Sequence, residues 1–146
     1  MFTDTKFLFL ALVFVTHFMC GLIWFVQIVH YPLFARVGSE QFKLYEQIHC
    51  SLTGSVVMVP MVVQLILSLW LAVSSAPGAA KLMWSNFALV VVIWVITGFC
   101  SVPCHNNLCE NGFSEAQYSY LLTINWIRTV CWTICSLILS IVLFRQ

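Results

Sequence analysis

Gln27, His30, Glu46, His49, His105, Asn125, Trp126 and Arg128 are the residues of this chain whose types could do chemistry, because each stands in or beside an otherwise apolar stretch. A charged side chain inside a bilayer is costly, roughly 2.5–3.5 kcal/mol for a central Arg on insertion scales, so it needs a partner or a purpose. Gln27 with His30, Glu46 with His49 and Asn125 with Arg128 are each three residues apart, which puts both members of a pair on one helix face. Neutral imidazole is the commonest metal ligand and titrates near neutrality. His30, His49 and His105, with the Glu46 carboxylate, are therefore candidates to hold a metal ion, a haem or a polar substrate. The same residues admit a structural role, with Arg128 paired to Glu46, Asn125 bonded to a backbone carbonyl and the histidines as donors that hold the bundle together. No His-Glu-x-x-His pattern favours the metal. Trp126 would either wall a pocket beside Arg128 or face lipid.

These side chains meet only if the elements that carry them alternate in direction across a membrane. The chain has 146 residues, 62% of them hydrophobic and 8% charged, with a mean hydropathy of +0.98; soluble domains carry about a quarter charged residues. Apolar runs of about 18 or more residues read as bilayer-crossing helices. The expected fold is all-α, a four-transmembrane-helix up-down bundle forming one membrane domain over residues 1–146, with spans at about 6–34, 51–73, 82–102 and 118–144. Phe7 to Val29 is about 23 residues without a small-residue cleavage site, longer than the roughly 7–15 of a signal-peptide core, and is expected to remain as the first span.

Local signals set the boundaries. Asp4 and Lys6 mark the aqueous start of span one, and Pro32 biases Tyr31 away from helical geometry, predicting an end or kink there. Ser39 is a candidate N-cap. Phe42, Tyr45, Glu46, His49 and Thr53 then repeat at helical spacing, an amphipathic lead-in running directly into span two, where Pro60 predicts a kink. Ser74 to Ala80 is a turn, span three ends at Pro103, and Cys104 to Gly112 is a polar connector. Ser114-Glu115-Ala116-Gln117 has the spacing of a capping box and opens span four. Both termini then share one side, and the polar residues of all four spans gather at the other. Arg128 lies about ten residues past Tyr118, roughly 15 Å along the helix, too deep to be simply surface-exposed.

Lys6, Lys81 and Arg145 on the terminal side outnumber Arg36 and Lys43 opposite, which orients the termini to the cytoplasm. A net charge of +1 excludes a nucleic-acid surface. Cys20, Cys50, Cys131 and Cys135 read as small hydrophobes. Cys100, Cys104 and Cys109 bracket His105 and leave open a Cys104–Cys109 disulfide or a thiolate metal site with His105. There is no Cys-x-x-Cys, so the redox pair expected of a vitamin K epoxide reductase-like enzyme is missing. His17, in mid-span with no histidine at matching depth on another span, reads as an interhelical donor rather than one of two haem ligands. The chain also lacks the inverted repeat and broken-helix pair of a carrier.

The segments Trp24-Phe25-Val26-Gln27-Ile28-Val29-His30-Tyr31-Pro32-Leu33-Phe34, Asn125-Trp126-Ile127-Arg128-Thr129 and Val102-Pro103-Cys104-His105 resemble those of a family of small four-helix bacterial membrane proteins with no assigned activity. The resemblance covers most of the chain, including the Phe42 to His49 lead-in, and implies a bacterial inner-membrane setting without supplying a reaction. Members of that family carry an arginine shortly after the Trp-Thr at Trp132-Thr133, where this chain has Cys135. In outline the chain also resembles haem-bearing protoporphyrinogen oxidases, whose motifs it does not share.

The expectation is an integral membrane protein with a small-molecule or cofactor site at one membrane face, metal- or haem-dependent and redox in character. Its partners would be the lipid bilayer, a small molecule or quinone, and a second copy of the chain in a homo-oligomer. The alternative is a non-catalytic scaffold or assembly subunit whose polar cluster fixes helix packing.

Overall fold

The computed structural model describes residues 2–145, with side chains from Thr5 onward, so the side chain of Asp4 lies outside the described residues. Every regular element among them is helical: α1 (Phe2–Phe25), a π turn (Val26–His30), α2 (Tyr31–Phe34), α3 (Ser39–Ser74), α4 (Pro77–Ile96), a second π turn (Thr97–Ser101), α5 (Val102–Asn111) and α6 (Glu115–Phe144). They run as four spans, Thr5–Phe34, Ser39–Ser74, Pro77–Asn111 and Glu115–Phe144, each long and apolar enough to cross a membrane. The chain is a multi-pass membrane protein with a four-helix bundle fold.

The spans close into a ring, since α1 packs on α3 and α6, and α4 packs on the same two helices. Inside the ring the core falls into three layers. Leu12, Met83 and Leu139 fill the layer at the terminal end, and Met19, Ile93 and Trp132 fill the middle. Tyr31, Phe34, Phe42 and Leu108 fill the far end. Large apolar residues such as Phe14, Ile66, Phe99 and Leu137 point outward, as lipid requires. Lipid tails are as apolar as leucine, so burial of apolar surface does not drive these helices together; packing and interhelical hydrogen bonds do. One such set crosses the middle of the bundle: Trp132 Nε1 donates to Gln64 Oε1 at 3.0 Å, and Gln64 Nε2 donates to Thr16 Oγ1 at 3.0 Å. His17 bridges spans one and four through Ser140 Oγ at 3.2 Å.

Several boundaries differ from the sequence expectation, and proline accounts for two. Proline has no N–H to donate, and its ring presses on the carbonyl four residues back. Ahead of both Pro32 and Pro103 the helix widens by one residue, so that Tyr31 N–H bonds to Val26 O and Val102 N–H bonds to Thr97 O, five residues back. Span one therefore does not end at Tyr31 and runs to Phe34, as its expected length required. Span three does not end at Pro103 but runs to Asn111, and the expected polar connector Cys104 to Gly112 is mostly helix. Gly112 stops it in the left-handed region at φ 85°, where its N–H bonds to Leu108 O. The lead-in and span two form one helix that stays α-helical through Pro60. Gly38 rather than Ser39 is its N-cap, and Ser114 holds the N-cap position of α6 without a side-chain cap bond.

Candidate functional site

At the end of the bundle away from the termini, spans two and three bring Glu46 and His105 together. Glu46 is fully buried, and its Oε1 accepts from His105 Nδ1 at 2.5 Å. A neutral imidazole that donates from Nδ1 accepts at Nε2, where the Tyr31 hydroxyl lies at 3.0 Å. A second pair forms beside it: His30 Nε2 lies 2.8 Å from His49 Nδ1, which also faces Thr53 Oγ1 at 3.1 Å. The ring centroids of His49 and His105 are 5.2 Å apart, so the three histidines of the sequence reading share one aromatic cluster with Tyr31 and Phe34.

Arg128 belongs to a different network. Its Nη1 donates to Asn125 Oδ1 at 3.2 Å and to Ser101 Oγ at 3.4 Å, and Asn125 Nδ2 donates to Gln27 Oε1 at 2.8 Å. The guanidinium carbon sits 5.3 Å from the Trp132 ring centroid, and the group faces Tyr31. The expected Arg128–Glu46 pair is not formed. Among the described residues Glu46 Oε1 pairs with the His105 ring, and no carboxylate comes within 4.0 Å of Arg128. Arg128 Nε and Glu46 Oε2 are both buried without a hydrogen-bond partner. The expected bond of Asn125 to a backbone carbonyl is also replaced, by its side-chain bond to Gln27.

The helical geometry explains which expected pairings held. Asn125 and Arg128 share a face of α6 and touch. Gln27 and His30 do not, since the π turn that contains both rotates less per residue and sends Gln27 to span four and His30 to span two.

These residues close one end of a cavity of about 290 Å³. Tyr31, His49, Cys50, Thr53, His105 and Arg128 line its polar end, and Met19, Ile23, Val57, Met58, Met61 and Trp94 line the rest. A shallower groove between spans one and two, bordered by Phe25, His30 and Leu52, shares Leu22, Val26, Thr53 and Val57 with the cavity wall and faces outward. Gln27, Asn125 and His30 stand behind the lining side chains, outside the cavity wall. Trp126 is on the outer face, where it packs edge-on to Trp24 with centroids 5.6 Å apart.

Tyr31, Cys50, Thr53 and Ser101 join the site although the sequence reading did not choose them. Cys50 was expected to be simple packing, yet it lies 3.8 Å from Glu46 Oε1 and 3.8 Å from Cys109 Sγ. Its signal was position, one turn after Glu46 on an amphipathic helix. Cys104 and Cys109 are both free: Cys104 Sγ donates to Gln117 O at 3.3 Å, whereas Cys109 meets Cys50. Helix α5 turns the two thiols to different neighbours and removes the option of a bridge between them. Among the described residues, the set whose donor atoms all lie within 4.8 Å of one another is Glu46, Cys50 and Cys109.

No family model, curated protein or solved structure matches this chain.

Proposed function

We propose that the chain is a bacterial inner-membrane protein, termini cytoplasmic, that binds a lipophilic small molecule with a hydrogen-bond-accepting head group, of the quinone class. The observation that carries this reading is Arg128: a buried guanidinium on a cavity wall with no carboxylate counter-ion among the described residues. A buried cation is costly unless something with negative or strongly accepting character meets it, and a quinone carbonyl or an anionic head group would do so. His49 supports the same chemistry. If its Nδ1 accepts from His30, its Nε2–H is a second donor at the cavity wall. The apolar remainder of the wall suits a hydrocarbon tail, and the shared groove gives that tail a route into lipid. The volume is just below the roughly 300–1,000 Å³ of ligand pockets, enough for a ring and the first tail atoms. Orientation follows from Lys6, Lys81 and Arg145 on the terminal side, and the bacterial setting from the motif resemblance.

The test is titration of the detergent-purified protein with a short-tailed benzoquinone, followed by quenching of tryptophan fluorescence. Trp94 lines the cavity, so binding is expected to be saturable and largely lost from the signal in Trp94→Phe. Arg128→Gln should weaken it about 10- to 100-fold, the range of a hydrogen bond to a charged group. Non-saturable quenching identical in both proteins would sink the reading. The scaffold alternative draws support from the Gln27–Asn125–Arg128–Ser101 network, which ties spans one, three and four together, and it requires no saturable ligand.

A further inference from the structure

The geometry points to a second site beside the cavity: we infer that Glu46, Cys50 and Cys109 bind a thiophilic divalent cation of the zinc type, with His105 orienting the carboxylate. The inference does not depend on the cavity's ligand. Zinc–sulfur bonds of about 2.3 Å at a tetrahedral angle put two thiolate sulfurs about 3.8 Å apart, and a sulfur and a carboxylate oxygen about 3.5 Å apart. Cys50 Sγ and Cys109 Sγ are 3.8 Å apart, and Cys50 Sγ is 3.8 Å from Glu46 Oε1. The spacing thus already matches a pair of tetrahedral ligands, and the carboxylate needs only a small shift.

Three features beyond spacing support the site. Glu46 is fully buried, yet its Oε2 has no hydrogen-bond partner, so the carboxylate whose Oε1 faces Cys50 is not saturated. His105 Nδ1 holds Oε1, the oxygen that faces Cys50, as outer histidines and carboxylates hold metal ligands in place. Cys50 and Cys109 come from different spans and are half-buried, so an ion could reach them from the polar end. Binding replaces the two thiol protons, which pass to solvent: one divalent cation and two thiols give one dithiolate complex and two protons. Three protein ligands leave a fourth position for water, the arrangement of an open rather than a closed zinc site.

The experiment loads metal-free, reduced full-length protein in detergent with Zn²⁺ alone, then with Co²⁺ as a spectroscopic probe. Wild type should take up about one equivalent of Zn²⁺. The Co²⁺ form should show intense visible bands of tetrahedral geometry and near-ultraviolet thiolate-to-metal charge transfer. Zn²⁺ should also protect Cys50 and Cys109 from alkylation. Cys104→Ser, which removes a thiol bonded elsewhere, should leave all three readouts unchanged. Cys50→Ser with Cys109→Ser should abolish uptake, and His105→Gln should weaken it roughly 10- to 100-fold. Failure of wild type to bind Zn²⁺, Co²⁺ bands without charge transfer, or uptake that survives in the double serine variant would each overturn the inference. A Cys50–Cys109 disulfide in protein isolated without reductant would overturn it in favour of a covalent bridge. Because the protection assay uses wild type, a double variant that misfolds leaves the inference testable. Quinone quenching that fails while Zn²⁺ binds removes the cavity reading alone, and the converse result removes the metal alone.

Discussion

Tyr31 Oη and Glu46 Oε1 are held by the two nitrogens of one imidazole, that of His105, at 3.0 and 2.5 Å. Three spans are joined through a single ring, and the bond to Glu46 fixes which nitrogen is free to accept. That ordering makes Tyr31 a donor to the imidazole and keeps a buried carboxylate from standing alone.

A double-mutant cycle between Glu46→Gln and His105→Asn should therefore show direct coupling of about 1.5–3 kcal/mol in unfolding of the detergent-solubilised protein. The cycle of Glu46→Leu with Arg128→Leu should show no mutual rescue, because those two residues belong to different networks. Recovery of stability in that second double variant would mean that the pair forms after all.

Asn125→Leu removes one of the two acceptors of Arg128 Nη1 and the donor to Gln27 Oε1 in one change. Each buried polar group left without a partner costs about 1–3 kcal/mol. A clear fall in thermal midpoint is expected, larger than that of Thr123→Ala on the exposed face of the same helix.

Gly54 lines the cavity, and a Cβ added there meets nothing within 4 Å. Gly54→Ala should be neutral or stabilising by about 0.5–1 kcal/mol, since glycine weakens a helix interior. Gly54→Leu should extend into the cavity and lower quinone affinity at least tenfold, an overlap cost of about 1.4 kcal/mol, without unfolding the bundle. Unchanged quenching in a folded Gly54→Leu protein would argue that the probe binds elsewhere.

Gln64 separates structure from ligand binding. Gln64→Leu leaves Trp132 Nε1 and Thr16 Oγ1 without their partner in the middle of the bundle, so stability should drop by about 1–3 kcal/mol. Gln64 does not line the cavity, and quinone affinity should remain within a few-fold of wild type.

The bundle and its polar end were legible because hydropathy gives span length, and alternating direction gives side. His30, His49, His105 and Glu46 met for that reason, with no contact information needed. Partner choice was not legible. Whether Glu46 takes Arg128 or His105 depends on rotation about the helix axis, and the two π turns change that rotation in spans one and three. Pro32 and Pro103 were visible as breakers, but a proline can end a helix, kink it or be absorbed by a widened turn, and the local sequence does not choose among these. Cys50 was missed because a cysteine in an apolar helix looks the same whether it packs against leucine or against a thiol on another span. A small-molecule site at this end was expected, but the apolar part of the cavity was not legible, because it is defined by what Gly54, Met58 and Met61 do not fill.

The cavity wall and the outward groove share Leu22, Val26, Thr53 and Val57, so a tailed molecule would arrive sideways. Its occupancy would then follow the mole fraction dissolved in the surrounding lipid or micelle. Diluting the protein in buffer at a fixed ratio of probe to detergent should leave occupancy nearly constant. Adding empty micelles should strip the site at unchanged total concentration.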